Sequence, residues 1–311
     1  MTERLAALSV DLDEIGCYSA IYGLEPPTGD TARAIYAKAL PRLRELFDDL
    51  GVRATFFAIG GDLDDARNAA ALRALVEDGH EVANHSLSHL YDLSRRPRAK
   101  IRDEVLGGAD AIERATGVRP VGFRAPGYTI TDEVFDVLAE LGVAYDSSVF
   151  PCPPYFGLKA AAIQWIRLRG RRSRSVVDDP RVLTASPNPY RVGRPYWRRG
   201  RGLVELPIGV SRGARLPYIG TTVVLAGPRG ARLLTRAMVG RPLVSLELHG
   251  IDLSDADEDG LGFLAPYQAD LRRGVADKRA ALRAAILELE GTGHRFVTCA
   301  EAARSLGDGE A

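Results

Sequence analysis

At 311 residues the chain is long enough to bury a large core, as one large α/β domain or two smaller ones. Its 46% hydrophobic and 26% charged residues are ordinary for a globular protein, and 41 basic side chains balance 41 acidic ones, which argues against a dedicated nucleic-acid binder. Cys17, Cys152 and Cys299 are odd in number and far apart, so they suggest no disulfide framework, and the opening MTERLAALSVDLDEIG reads as neither a secretory signal nor a membrane span; a cytoplasmic protein is the expectation.

In chain order, LAALSV is a strand that stops at Asp11. After a Gly/Pro-containing loop, TARAIYAKALPRLRELFDDLG reads as a helix, ATFFAIG as a strand and ARNAAALRALVEDG as a helix. HEVANHS is a strand running into histidines. RAKIRDEVLGGADAIERATG is a helix, VGFRAP a strand, TDEVFDVLAELG a helix started by Thr131, and VAYDSS a strand. This alternation predicts a parallel sheet, open or closed into a barrel.

After Pro151 the pattern changes. The stretch from Arg167 to Arg201 holds eleven arginines against two aspartates, with Trp165, Tyr190, Tyr196 and Trp197 interleaved. Its bland reading is a solvated insertion. Its functional reading is a patch near the mouth for an anionic substrate, with the aromatics as a sugar-stacking wall. GLVELPIGV, TTVVLAG and PLVSLELHG read as strands, RRGVADKRAALRAAILELEG as a long helix, and FVTCAEAARSL as a last strand and helix. No linker separates two domains, so residues 1–311 read as one domain with an insertion at about 151–220.

Polar residues collect where these strands stop. They are Asp11 and Asp13, His85 and then His89, Arg124, Asp146, and His249. In parallel α/β folds such strand ends converge on one face. On its own the H-x3-H spacing of His85 and His89 is weak evidence for a metal. His80 and His294 sit beside turns and read as structural. DADEDG from Asp255 starts like a calcium loop, but Pro266 stands where a bidentate Glu is required. GVSRG around Ser211 matches a nucleophile elbow, with His294 as a partner, yet the following ARLPYIG does not open a helix.

SVDLDE, NHSLSH, FRAPGY, YDSSVF and LELHG, in this order and at predicted strand ends, resemble the polysaccharide deacetylase (NodB-homology, carbohydrate esterase 4) superfamily. The resemblance implies a distorted (β/α)7-type barrel that removes N-acetyl or related acyl groups from a carbohydrate with one divalent metal. It implies Asp13, His85 and His89 as metal ligands, a set that suits zinc and would accept cobalt, nickel or iron. Asp11, on the same strand face as Asp13, becomes the general base, His249 the general acid and Arg124 the residue that orients the base. Gly127 lies nearest the backbone N–H for the oxyanion, and Tyr128, Asp146 and Phe150 are weaker substrate-side candidates.

Some positions depart from the family pattern. Leu12 separates two aspartates that are often adjacent, Ala125-Pro126-Gly127 replaces a Pro-Pro-Tyr run, and Val149-Phe150 stands where an Asp-Trp pair is usual. Val149 cannot orient a histidine, so Asp146 and Asp252 become candidate partners of His249. The competing readings are a non-catalytic carbohydrate-binding relative, or an amidase or deformylase acting on a small or lipid-linked amide.

Overall fold

The computed structural model describes residues 3–307. Nine strands form one sheet: β1 (Leu5–Asp11), β2 (Thr55–Ala58), β3 (Glu81–Asn84), β4 (Gly122–Phe123), β5 (Tyr145–Asp146), β6 (Tyr190–Val192), β7 (Arg199–Glu205), β8 (Leu243–His249) and β9 (Arg295–Val297). Their order is β6-β7-β5-β4-β3-β2-β1-β8, and β9 pairs with the first residues of β1. Every pairing is parallel except the β6–β7 hairpin. The helices are α1 (Ile15–Tyr22), α2 (Leu40–Leu50), α3 (Ala66–Glu77), α4 (Arg98–Thr116), α5 (Asp132–Glu140), α6 (Pro153–Leu168), α7 (Gly220–Arg236), α8 (Val275–Gly291) and α9 (Cys299–Gly307). None of the described helices is long and apolar enough to cross a membrane.

The sheet curls into a distorted barrel, as the sequence resemblance implies. No full ladder closes it. Where the chain leaving β7 meets β8, Gly209 lies so close that a Cβ would stand 2.0 Å from the Ser245 carbonyl oxygen. A single parallel bridge, Ile219 to Glu247, completes the seam.

Strand periodicity explains why the polar residues share one rim. On β1, Ala6, Leu8 and Val10 join the main core, with Val244, Leu246 and Leu248 of β8. The alternate residues point into the barrel. At its lower end Leu5, Ala7 and Leu243 pack with Phe57, Ala83 and Tyr145 into an apolar plug. Further along the same two faces come Ser9 and Asp11 on β1, and Ser245, Glu247 and His249 on β8. The interior therefore runs from apolar to polar toward the C-terminal strand ends.

Three expectations change. TTVVLAG is the first half of α7, kinked where Gly227 (φ 66°) precedes Pro228. Its β-branched run favours a strand locally, but burial of Val223 and Val224 in the main core decides for the helix. The stretch after Asp13, expected to belong to a Gly/Pro-containing loop, holds α1, and the stretch after Cys152, for which no element was expected, is α6. The interval 151–220 is also not wholly an excursion, because β7 within it pairs with β5 in the sheet.

Candidate active site

Asp13 sits just past the end of β1, and His85 and His89 lie on the turn after β3. His85 Nε2 is 3.3 Å from Asp13 Oδ1, and His89 Nε2 is 3.3 Å from Asp13 Oδ2. All three residues are buried. Donor atoms around a four-coordinate zinc, with bonds of about 2.0–2.2 Å, stand roughly 3–3.5 Å apart, which is the spacing found here. Asp13 Oδ1 and both ring nitrogens of His89 are buried without a hydrogen-bond partner. Unsatisfied buried donors and acceptors at that spacing fit a cation. Burial pushes the Asp13 carboxyl up, but the adjacent His89 and His85 outweigh it and hold it well below the usual carboxylate range.

The turn that carries the histidines is held rather than loose. Ser86 (φ 69°) and His89 (φ 51°) adopt left-handed backbone that is uncommon for such residues. The Asn84 side chain accepts from Ser86 N (3.0 Å) and donates to Val105 O of α4 (2.8 Å). Glu104 of α4 accepts from Ser88 N and Ser88 Oγ at 2.8 and 2.6 Å. The turn rests on α4 at Gly108, where a Cβ would stand 2.3 Å from Asn84 Oδ1. His85 Nδ1 donates to the Arg124 carbonyl at 2.7 Å, because that oxygen can only accept. This fixes the tautomer and turns the Nε2 lone pair toward Asp13.

Arg124 is fully buried. Its guanidinium meets Asp11 Oδ1 at 2.5 Å, Ser9 Oγ and Ser147 Oγ at 2.9 Å each and Ser147 O at 2.8 Å, and lies 4.0 Å over the Phe57 ring. Asp11 Oδ2 is buried and unpartnered, 3.9 Å from His85 Nε2. Asp11, Glu247 and His249 also bring donor atoms within 4.8 Å of one another. A cation there would sit against the Arg124 guanidinium, so the Asp13 group is the better candidate.

His249 does not use Asp146 or Asp252. Its Nδ1 lies 2.8 Å from Glu247 Oε1, two residues back on the same strand face. Asp252 instead accepts from the His249 backbone N–H at 2.8 Å. Asp146 is buried below the rim, accepting from Ser148 N and Oγ, so it does not reach a substrate. Beside it, burial and the Asp146 charge push the Glu205 carboxyl well up. Glu205 accepts from Val149 N at 2.9 Å. YDSSVF thus serves mainly to grip Arg124 and the turn after it, where Ser148 Oγ accepts from Ala125 N at 2.8 Å. Burial pulls the His249 imidazole down, but Glu247, then Asp11 and Asp13, raise it well above its ordinary value. His249 Nε2 lies 3.4 Å from Tyr128 Oη and 3.9 Å from Asp13 Oδ2.

The rim continues through aromatic rings. Tyr128 packs edge-on against Phe150 and His249, with Tyr155 of α6 beside them. Gly127 (φ 62°) sits in the turn below, its carbonyl accepting from Lys159 Nζ at 2.7 Å. Tyr190 and Tyr196 are buried in a separate core cluster, with Trp197 packed against it, so they form no sugar wall. Trp165 is exposed on α6 beneath Arg169. Ser211 Oγ accepts from Leu216 N inside a tight turn, and no elbow helix follows. Asp255 and Asp259 cap backbone N–H groups in their own loop, and Asp259 pairs with Arg42. His80 accepts from Ala54 N, and His294 lies beside Thr292 and the Leu289 carbonyl.

Comparison with known proteins agrees with this layout. The polysaccharide deacetylase family model matches residues 29–145. A peptidoglycan deacetylase of Helicobacter pylori is 29% identical over 149 residues, covering 47% of this chain and 50% of the relative. A chitooligosaccharide deacetylase of Bradyrhizobium sp. is 38% identical over 105 residues, or 33% of this chain and 47% of the relative. The chain thus spans about half the length of the curated relatives it matches. A polysaccharide deacetylase structure from Mycobacterium smegmatis superposes with a TM-score of 0.61 at 22% identity, covering 98% of this chain and 91% of that one, which bears on the fold. The five strand-end motifs and the curled sheet thus agree with the match of residues 29–145 to the polysaccharide deacetylase family model.

Proposed function

We propose that this protein is a metal-dependent hydrolase that removes an N-acetyl or other N-acyl group from an amino sugar. One observation carries the reading. A buried three-donor set, an unpartnered carboxylate oxygen and a carboxylate-backed imidazole share a single rim. A divalent metal held by Asp13, His85 and His89, with zinc favoured by the donor types, would lower the pKa of a water and polarise the acyl carbonyl. Asp11 offers Oδ2 as the general base while Arg124 pins Oδ1, which makes Arg124 a positioning residue. His249, with Nδ1 against Glu247, presents its Nε2 proton to the leaving amine. A backbone N–H near Gly127 faces the developing oxyanion, and Tyr128 and Phe150 supply the wall. The named activities of the relatives support an amino-sugar substrate.

The non-catalytic alternative rests on Val149. Glu247 weakens it, because it gives His249 the partner that Val149 cannot.

Acetate release from N-acetylated chitooligosaccharides and N-acetylglucosamine tests the reading. Chelation is expected to abolish release and added zinc or cobalt to restore it. Asp11→Asn is expected to keep the metal and lower kcat by on the order of 10²–10⁴-fold. Release that persists at the wild-type rate in Asp11→Asn, or none from any acylated amino sugar with any added metal, would reject the assignment. Glu247→Gln, with folding and metal content intact, is expected to lower kcat by about 10–100-fold. An unchanged kcat in that variant would remove Glu247 from the proton-donating pair.

A further inference from the structure

The cavity that opens onto His89 is lined by cations that deacylation does not use. It measures about 860 Å³ and is walled by α1, the turn after β3 and the segment after α6. Arg95, Arg96, Arg172 and Arg174 line it. Asp92, the one carboxylate in the lining, is paired with Arg96 at 2.9 Å. Arg95 gives one N–H to the Val177 carbonyl at 3.1 Å. Among the described residues the side chains of Arg172 and Arg174 have no hydrogen-bond or ion-pair partner. The whole chain has a formal net charge of +0, so this concentration is local rather than a reflection of overall composition.

Solvated arginines on a free loop would be the ordinary explanation. The segment is tied down instead. Arg174 N donates to Ala20 O of α1 at 3.0 Å, and Arg171 N donates to Ile166 O of α6 at 3.1 Å. The Arg171 guanidinium bonds the Tyr267 hydroxyl and lies 5.1 Å over its ring. The backbone thus holds Arg172 and Arg174 at a cavity whose wall includes a candidate metal ligand.

We propose that this cavity is a phosphate subsite, and that the amino sugar is presented as a phosphate ester held by Arg95, Arg172 and Arg174. The inference rests on the deacylase reading above. A neutral amino-sugar polymer offers nothing to balance these guanidiniums. A carboxylate takes one bidentate fork, whereas a phosphate has the charge and the oxygens for several. A nucleotide-linked and a lipid-linked sugar share this chemistry.

Calorimetric titration of the full chain, as purified and again after chelation, tests the subsite without requiring turnover. The probes are N-acetylglucosamine, its 1-phosphate, N-acetylmuramic acid, UDP-N-acetylglucosamine and farnesyl-phosphate-linked N-acetylglucosamine. At low salt the 1-phosphate is expected to bind at least about tenfold tighter than the neutral sugar. The margin should persist after chelation and shrink in 0.3 M NaCl, about where screening sets in. It should collapse in Arg172→Gln/Arg174→Gln with the melting temperature unchanged. The tighter of the last two probes identifies the source of the phosphate. Equal binding of the 1-phosphate and the neutral sugar, a margin matched by N-acetylmuramic acid, a margin lost on chelation, or one retained in the double variant would each overturn the proposal. Failure of the deacylase reading shows separately, as no acetate release from any acylated sugar.

Discussion

Asp13→Ala is expected to yield a folded protein that holds no stoichiometric metal and has lost catalysis by at least about 10²–10³-fold. Losing a residue that merely supports a ligand costs about 10–100-fold in affinity or activity, and losing a ligand should exceed that. Asp13 alone contacts both histidines, one with each carboxylate oxygen. Without it two neutral imidazoles remain, one protein ligand and one negative charge short of the three-donor set that holds a catalytic zinc. The fold should survive. His85 keeps its bond to the Arg124 carbonyl, and His89 N keeps its bond to Ser86 Oγ. Stability should fall by only about 1–2 kcal/mol, within the range for lost buried polar contacts. Metal analysis of purified protein checks the first part, and melting curves with and without zinc check the second. Wild type should gain stability with zinc by mass action, and the variant should not. A variant that retains its metal would move the site away from Asp13.

Arg124→Met is expected to cost about 3–5 kcal/mol of stability, the usual consequence of removing one partner from a buried ion pair. The Asp11 carboxylate would then lie buried with neither oxygen paired, and Ser9 and Ser147 would lose their donors. Arg124→Lys would recover only part of this, because an ammonium cannot reach Asp11, Ser9 and Ser147 in one plane. The metal should remain, since His85 contacts the main chain of residue 124 and not its side chain. Catalysis should fall in both variants through misplacement of Asp11. Chemical denaturation reads the stability loss. A Met variant as stable as wild type would mean that the buried pair contributes nothing net.

Much of the site was legible because of one habit of parallel sheets. Apolar runs that end in a single charged or imidazole side chain announce a strand leaving the core, and SVDLDE, EVANHS, GFRAP and LELHG all do so. The partner of His249 was equally present in LELH. Leu246 and Leu248 face outward, so Glu247 and His249 must share the inner face. Strand parity therefore favours Glu247 over Asp146 and Asp252 as the group beside His249. The bracing of the histidine turn was less visible, because Glu104 and Gly108 sit in a helix whose sequence reads as ordinary. The same limit hid α1 and α6 and turned TTVVLAG into a helix, since each depends on what it packs against rather than on local preference.

The β1–β8 ladder sets Asp11 opposite His249 and Ser9 opposite Glu247. The two residues proposed to move protons are therefore neighbours across adjacent strands, and their separation is set by main-chain pairing. Insertions, deletions or wholesale exchange of the connecting loops could reshape the mouth and leave that separation untouched. A shift of either strand by one residue would turn that strand's own proton-carrying residue, Asp11 or His249, out of the barrel. A lineage built on this scaffold is free to explore new substrates through its loops while its proton chemistry stays locked in the sheet.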